Sequence, residues 1–147
     1  MAILSVDRIQ VGATAVSKAD AIRQAGQLLV QSGCVEPGYV DGMLAREETM
    51  STYLGEGVAI PHGQFENREQ ILQTGISVLQ LPEGIEWEDG EKAHLVIGIA
   101  ASADEHVGVL ANLAEAIEDE DITYKLIHTT DPAVILAELG KEQTEEI

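Results

Sequence analysis

Disulfides, metal clusters and membrane spans all have little to start from in this chain of 147 residues. It contains one cysteine, Cys34, which has no internal partner, and that fits a reducing compartment. No CxxC or HExxH spacing occurs among its one cysteine and four histidines, so neither a zinc site nor any other metal or cofactor is expected. Aromatics are scarce, with one Phe, one Trp and three Tyr, so the core must be aliphatic. No apolar run approaches the ~20 residues that cross a bilayer. The opening residues MAILSVDRIQ lack the basic start and apolar stretch of a signal peptide, and a cytoplasmic location is expected. Positive charge is also short: eight basic residues stand against 26 acidic ones, a formal charge of −18. Such a surface repels nucleic acid and anionic lipid. It suits either plain solubility or a partner with a positive face. Any phosphate bound here needs local help from Arg8, Lys18, Arg23, Arg46, Arg68, Lys92, Lys125 or Lys141.

Repeats, low-complexity tracts and Pro/Ser-rich linkers are missing too, so the whole of 1–147 reads as one domain, with a polar tail over about 140–147. What is present is periodic. Ser17-Lys-Ala-Asp20 opens a helix with a capping-box-like start, followed by an apolar stripe at Ala21, Ile22, Ala25, Leu28 and Leu29, and Gly33 marks its end. A second helix begins near Pro37, turns Val40, Met43 and Leu44 inward and ends between Arg46 and Met50. Val58-Ala-Ile60 is a short strand stopped by Pro61. Thr74 to Leu81 and Ala93 to Ala101 read as two strands, joined by a loop holding Pro82, Gly84 and Gly90, with Trp87 packing over the hairpin. A third helix opens at Ser102-Ala-Asp-Glu105 and runs to about Asp119, a shorter one spans Asp121 to Thr129, and Asp131-Pro132 caps a last one. The expected class is α/β, a mixed β-sheet flanked by α-helices.

The chemistry gathers at two histidines. Pro61 fixes one backbone angle and presents His62 at a strand exit, while Gly63 leaves the approach to the imidazole open. A neutral imidazole of ordinary pKa can attack phosphorus at physiological pH. Taken by spacing alone, a turn histidine of no consequence fits as well. His106 shares a helix face with Leu110, Leu113 and Ile117 and sits in the first turn, where free N–H groups and the helix dipole favour an anion. A satisfied core histidine is its plainer explanation. His94 and His128 read as structural or surface residues, Cys34 as a buried apolar one, and Gly55-x-Gly57 is too short for a nucleotide loop. The acidic cluster Glu115 to Asp121 reads as a solvated helix end.

The stretch REETMSTYLGEGVAIPHG, from Arg46 through Gly63, resembles the active-site segment of the mannitol/fructose family of phosphotransferase system IIA proteins. CVEPGYVDGML before it, and TGISVLQLPEGIEW and HLVIGIAASADEHVGVLANLAEAI after it, extend the likeness over nearly the whole chain. The mannitol branch is the nearest, through TYLGEG, IPHG and the Glu105-His106 pair. The resemblance implies that His62 accepts a phosphoryl group from the phosphocarrier protein HPr, through Nε2, and passes it to a cysteine of a IIB domain, and so serves the membrane IIC component. It matches His106 to the second active-site histidine and Arg46 to the active-site arginine, and it makes Glu56 a candidate for lining the site. Without it, Arg46 reads as a helix-end arginine and Thr52 and Tyr53 as ordinary turn and strand residues. A sequence without IIB or membrane-spanning portions suggests a free-standing IIA or an isolated domain. Two alternatives stay open: a regulatory, nitrogen-type IIA that signals by its phosphorylation state, and a partner-binding module that carries no phosphate. The sugar, whether mannitol, fructose or a related one, is not legible.

Overall fold

A computed structural model describes residues 4–139 apart from 89 and 102; the tail expected over 140–147 and the helix opening at Ser102 lie outside the described residues. The long apolar runs form the centre. Strand β4 (Gly75–Glu88) pairs antiparallel with β5 (Glu91–Ala100), and both are buried over most of their length. Three short strands complete a mixed sheet: β1 (Ile9–Gln10) runs parallel to β4, β3 (Val58–Ala59) parallel to β5, and β2 (Tyr53–Gly55) antiparallel to β3. The order is β1-β4-β5-β3-β2.

Alternation along the strands divides the core into two clusters. Ile76, Val78, Leu95, Ile97 and Ile99 face helices α3 (Ala103–Glu118), α4 (Glu120–His128) and α5 (Pro132–Leu139), which contribute Leu113, Ile117, Leu126, Ile135 and Leu139. Leu79, Leu81, Val96 and Ala100 face α1 (Lys18–Gln31) and α2 (Tyr39–Thr49), which contribute Ala21, Ile22, Ala25, Leu29 and Met43. The expected class, a mixed sheet with helices on both faces, holds. The caps hold as well: Ser17 accepts from the Asp20 N–H, and Asp131 accepts from the Ala133 N–H at the start of α5. Within the acidic cluster, exposed Asp119 caps α4 by accepting from Asp121 and Ile122. Among the described residues no helix is long and apolar enough to cross a membrane.

One expectation needs correction. The loop predicted around Pro82 and Gly84 is instead a continuation of β4, which pairs on through Ile85↔Ala93 to Glu88↔Glu91. Proline is tolerated there because the register shifts between Gln80 and Ile85, and Gly84 takes a φ of 75° that a side chain would resist. Trp87, itself on β4, shares a buried cluster with the hairpin residues Leu81, Ile85 and Ala93. It is buried with the α1 and α2 residues, and its Nε1 donates to Glu47 Oε2 at 3.0 Å.

Candidate active site

Parallel pairing of β3 with β5 brings the two histidines together. The chain leaves β3 through Pro61, whose carbonyl accepts from the Ile99 N–H at 3.0 Å, and His62 bridges to Ile99 at the end of β5. Three residues beyond β5 the chain enters α3, which places His106 beside this exit. The two rings stand edge to face, with centroids 4.7 Å apart and planes at 74°. This is the crevice beyond the carboxyl ends of parallel strands, where open α/β sheets commonly bind ligands.

Arg46 reaches the same place from the last turn of α2. Its Nη1 donates to the Met50 carbonyl at 2.7 Å, so the helix-end and site readings are compatible. Arg46, His62 and His106 line one cavity of ≈ 410 Å³ with Tyr39, Thr49, Gly63, Arg68 and Val107. Within a strongly acidic chain, two of the eight basic side chains thus border a single cavity, against one carboxylate, Glu66.

Both imidazoles are half-buried and favour the neutral form. Burial lowers the His62 pKa below 6.5, helped by His106 and Arg46, while the Gly63 carbonyl and Glu47 act in the other direction. Burial, then Arg46, likewise lowers His106. The Nδ1 of His62 lies 3.1 Å from the Gly63 carbonyl oxygen. In a neutral ring that contact is a hydrogen bond only if Nδ1 carries the proton, which leaves the lone pair on Nε2.

The supporting residues include several that sequence reasoning missed. Tyr39, buried, donates its hydroxyl proton to the Ile99 carbonyl and accepts from the Gly63 N–H, each at 2.9 Å. Burial raises its pKa, so the hydroxyl keeps its proton. Glu47 is 7 % exposed, yet its carboxylate accepts from the Thr52 N–H and hydroxyl, from Trp87 Nε1 and from Lys18 Nζ. It thereby ties the end of α2 to β4 and to Thr52, the residue before β2. No local pattern marks Tyr39, which meets a glycine 24 positions on. Arg68 had one usable signal, its scarcity as a cation in this chain.

Glu56 is the site candidate that stands apart. It is exposed in the turn between β2 and β3, with a φ of 56°, at the opposite end of β3 from His62, and it does not border the cavity. Of the remaining histidines, His94 has Nδ1 3.2 Å from the Leu81 carbonyl, and His128 stacks on Tyr124 at the end of α4. Cys34 is buried.

These features define an α/β protein with two neutral histidines and an arginine at one strand-end cavity. Residues 2–142 match the family described as phosphoenolpyruvate-dependent sugar phosphotransferase system, EIIA 2, and the chain belongs to that family. It is 48% identical over 145 residues to a multiphosphoryl transfer protein of Escherichia coli O157:H7, covering 98% of this chain and 39% of that one. It is 44% identical over 138 residues to a mannitol-specific EIICBA component of Pasteurella multocida, covering 92% of this chain and 22% of that one. The chain therefore spans well under half the length of these curated relatives. Among solved structures it resembles the mannitol enzyme IIA of Escherichia coli, determined in complex with phosphorylated mannitol enzyme IIB. That match has a TM-score of 0.88 and 43% identity, over 92% of this chain and 96% of that one.

Proposed function

We propose that this chain is a histidine phosphocarrier that takes a phosphoryl group from HPr onto His62 and delivers it to a cysteine of a IIB domain. Through IIB and the membrane IIC component it serves uptake of mannitol, fructose or a related sugar. The observation that carries this reading is the half-buried His62–His106 pair, 4.7 Å apart, in a cavity bordered by Arg46. In the first step the Nε2 lone pair of His62 forms a P–N bond as the donor's bond to phosphorus breaks, the electron pair leaving with HPr. In the second, a IIB thiolate forms a P–S bond and the P–N electron pair returns to Nε2. Such transfers need in-line positioning and charge stabilisation more than acid–base work.

The residues present suit those needs. His106 can donate to a phosphoryl oxygen, and the early amides of α3 and the fixed charge of Arg46 oppose the charge on the travelling group. Neutral rings are ready nucleophiles at pH 7. The relative solved with phosphorylated IIB supports a IIB partner, and the fused EIICBA relative supports IIC beyond it. Val107, an apolar side chain 72% exposed on the cavity rim, suits docking of a protein.

Labelling from phosphoenolpyruvate is the test. The protein should take label only when the general phosphotransferase proteins are added, and mass mapping should place it on His62. His62→Ala should fold and stay unlabelled, whereas His106→Ala should be labelled but transfer onward more slowly. Label mapping to another residue would overturn the assignment.

A further inference from the structure

A neutral imidazole can offer either nitrogen, and free in water it prefers to hold its proton on Nε2. That tautomer would present a donor, not a lone pair, to incoming phosphorus. In this structure the choice falls to the Gly63 carbonyl, 3.1 Å from His62 Nδ1. A glycine carbonyl in a loop has no fixed direction of its own, so something must aim it.

We propose that Tyr39 and Asn67 are positioning residues that clamp Gly63 from both sides, so that its carbonyl selects the Nδ1–H tautomer of His62. The peptide before Gly63 is held by Tyr39. Its hydroxyl proton is engaged by the Ile99 carbonyl at 2.9 Å, so only oxygen lone pairs remain to meet the Gly63 N–H, also at 2.9 Å. The peptide after Gly63 contains the selecting carbonyl. Its N–H, on Gln64, donates to Asn67 Oδ1 at 2.8 Å. Because a peptide unit is planar, fixing that N–H fixes the direction of the carbonyl on its other side. The tyrosine ring closes the remaining freedom: a Cβ on Gly63 would lie 2.6 Å from Tyr39 Cε1, so only glycine fits against it. One clamp is thus anchored in β5 and the other in the 3-10 segment Phe65–Gln70. Neither residue touches the reacting atoms.

The inference rests on His62 being the phosphoryl acceptor, but its test does not. The ring nitrogens of His62 can be read by 15N NMR at neutral pH without any phosphate present. The parent protein should show the Nδ1–H form. Tyr39→Phe and Asn67→Ala should each shift the averaged resonances toward the Nε2–H form, while Asn67→Asp, which keeps the accepting oxygen, should restore them. Acceptance from phosphorylated HPr should fall about tenfold in the first two variants, the scale of one lost hydrogen bond, and recover in the third. Parent-like ring resonances in both Tyr39→Phe and Asn67→Ala would overturn the proposal. Slower transfer with unshifted resonances would do the same, since it would place the two residues in folding alone.

Discussion

At the scale of single residues, burial sets the behaviour of His62 and His106. Both pKa values lie below the ordinary 6.5, so each ring stays neutral where an exposed histidine would take up a proton. Phosphoryl acceptance should therefore hold level as pH falls from 8 to about 6.5 and decline only below it. The same shift enters stability with a definite sign. The unfolded chain binds these protons near about 6.5 and the folded one only at lower pH, so stability is full above that value and is lost as pH falls below it, until the folded rings titrate too. Urea melts between pH 7.5 and 5 should show this loss, and a His62→Gln/His106→Gln double variant should lose less. An equal slope in parent and variant would exclude the two rings as its source.

At the scale of elements, the end of α2 is where site and scaffold meet. Glu47 follows Arg46 directly, and its buried carboxylate gathers donors from Thr52, Trp87 and Lys18. Removing the charge should weaken these hydrogen bonds together. Glu47→Gln should cost about 2 kcal/mol of stability in denaturant titrations, because bonds to a charged acceptor exceed neutral ones. It should also slow phosphoryl transfer through Arg46, whereas Glu48→Gln on the exposed side of the helix should do neither.

Elements differed in how readily they could be foreseen. The helix caps at Ser17 and Asp131 and the long apolar strands have local causes, and those causes are written in neighbouring residues. Strands β1 and β2, with two and three residues, are too short to show a period of two. Pro82 and Gly84 signalled a loop by composition, yet pairing with β5 carried the strand through them. The site divides in the same way. His62 was marked by Pro61 and Gly63, and His106 by its helix face, but their proximity depends on β3 lying parallel to β5, a long-range choice without a local signature. The Tyr39–Gly63 contact has the same origin. Glu56 falls in the same motif as His62, but β3 runs between them and leaves it outside the cavity.

Across the whole molecule, the −18 charge is the dominant long-range feature, and the cavity, where Arg46 and Arg68 face the single carboxylate of Glu66, departs from it. A partner with a basic docking face would be drawn in electrostatically and then meet a cationic centre suited to its phosphoryl group. Raising ionic strength from about 0.05 to 0.5 M should lower the second-order rate of acceptance from phosphorylated HPr several-fold, as the screening length shrinks. The rate within the bound complex should be far less sensitive. Stopped-flow mixing over a range of protein concentrations separates the two, and a salt-independent second-order rate would remove any role for steering.

The lone indole has a practical consequence. Trp87 is fastened to the carboxylate that neighbours Arg46, and Lys18 Nζ lies 5.7 Å from its ring centre. Every photon of tryptophan emission from this chain therefore originates beside the joint that seats the arginine. Nature has left a built-in optical gauge there, free of background from any second emitter of its kind.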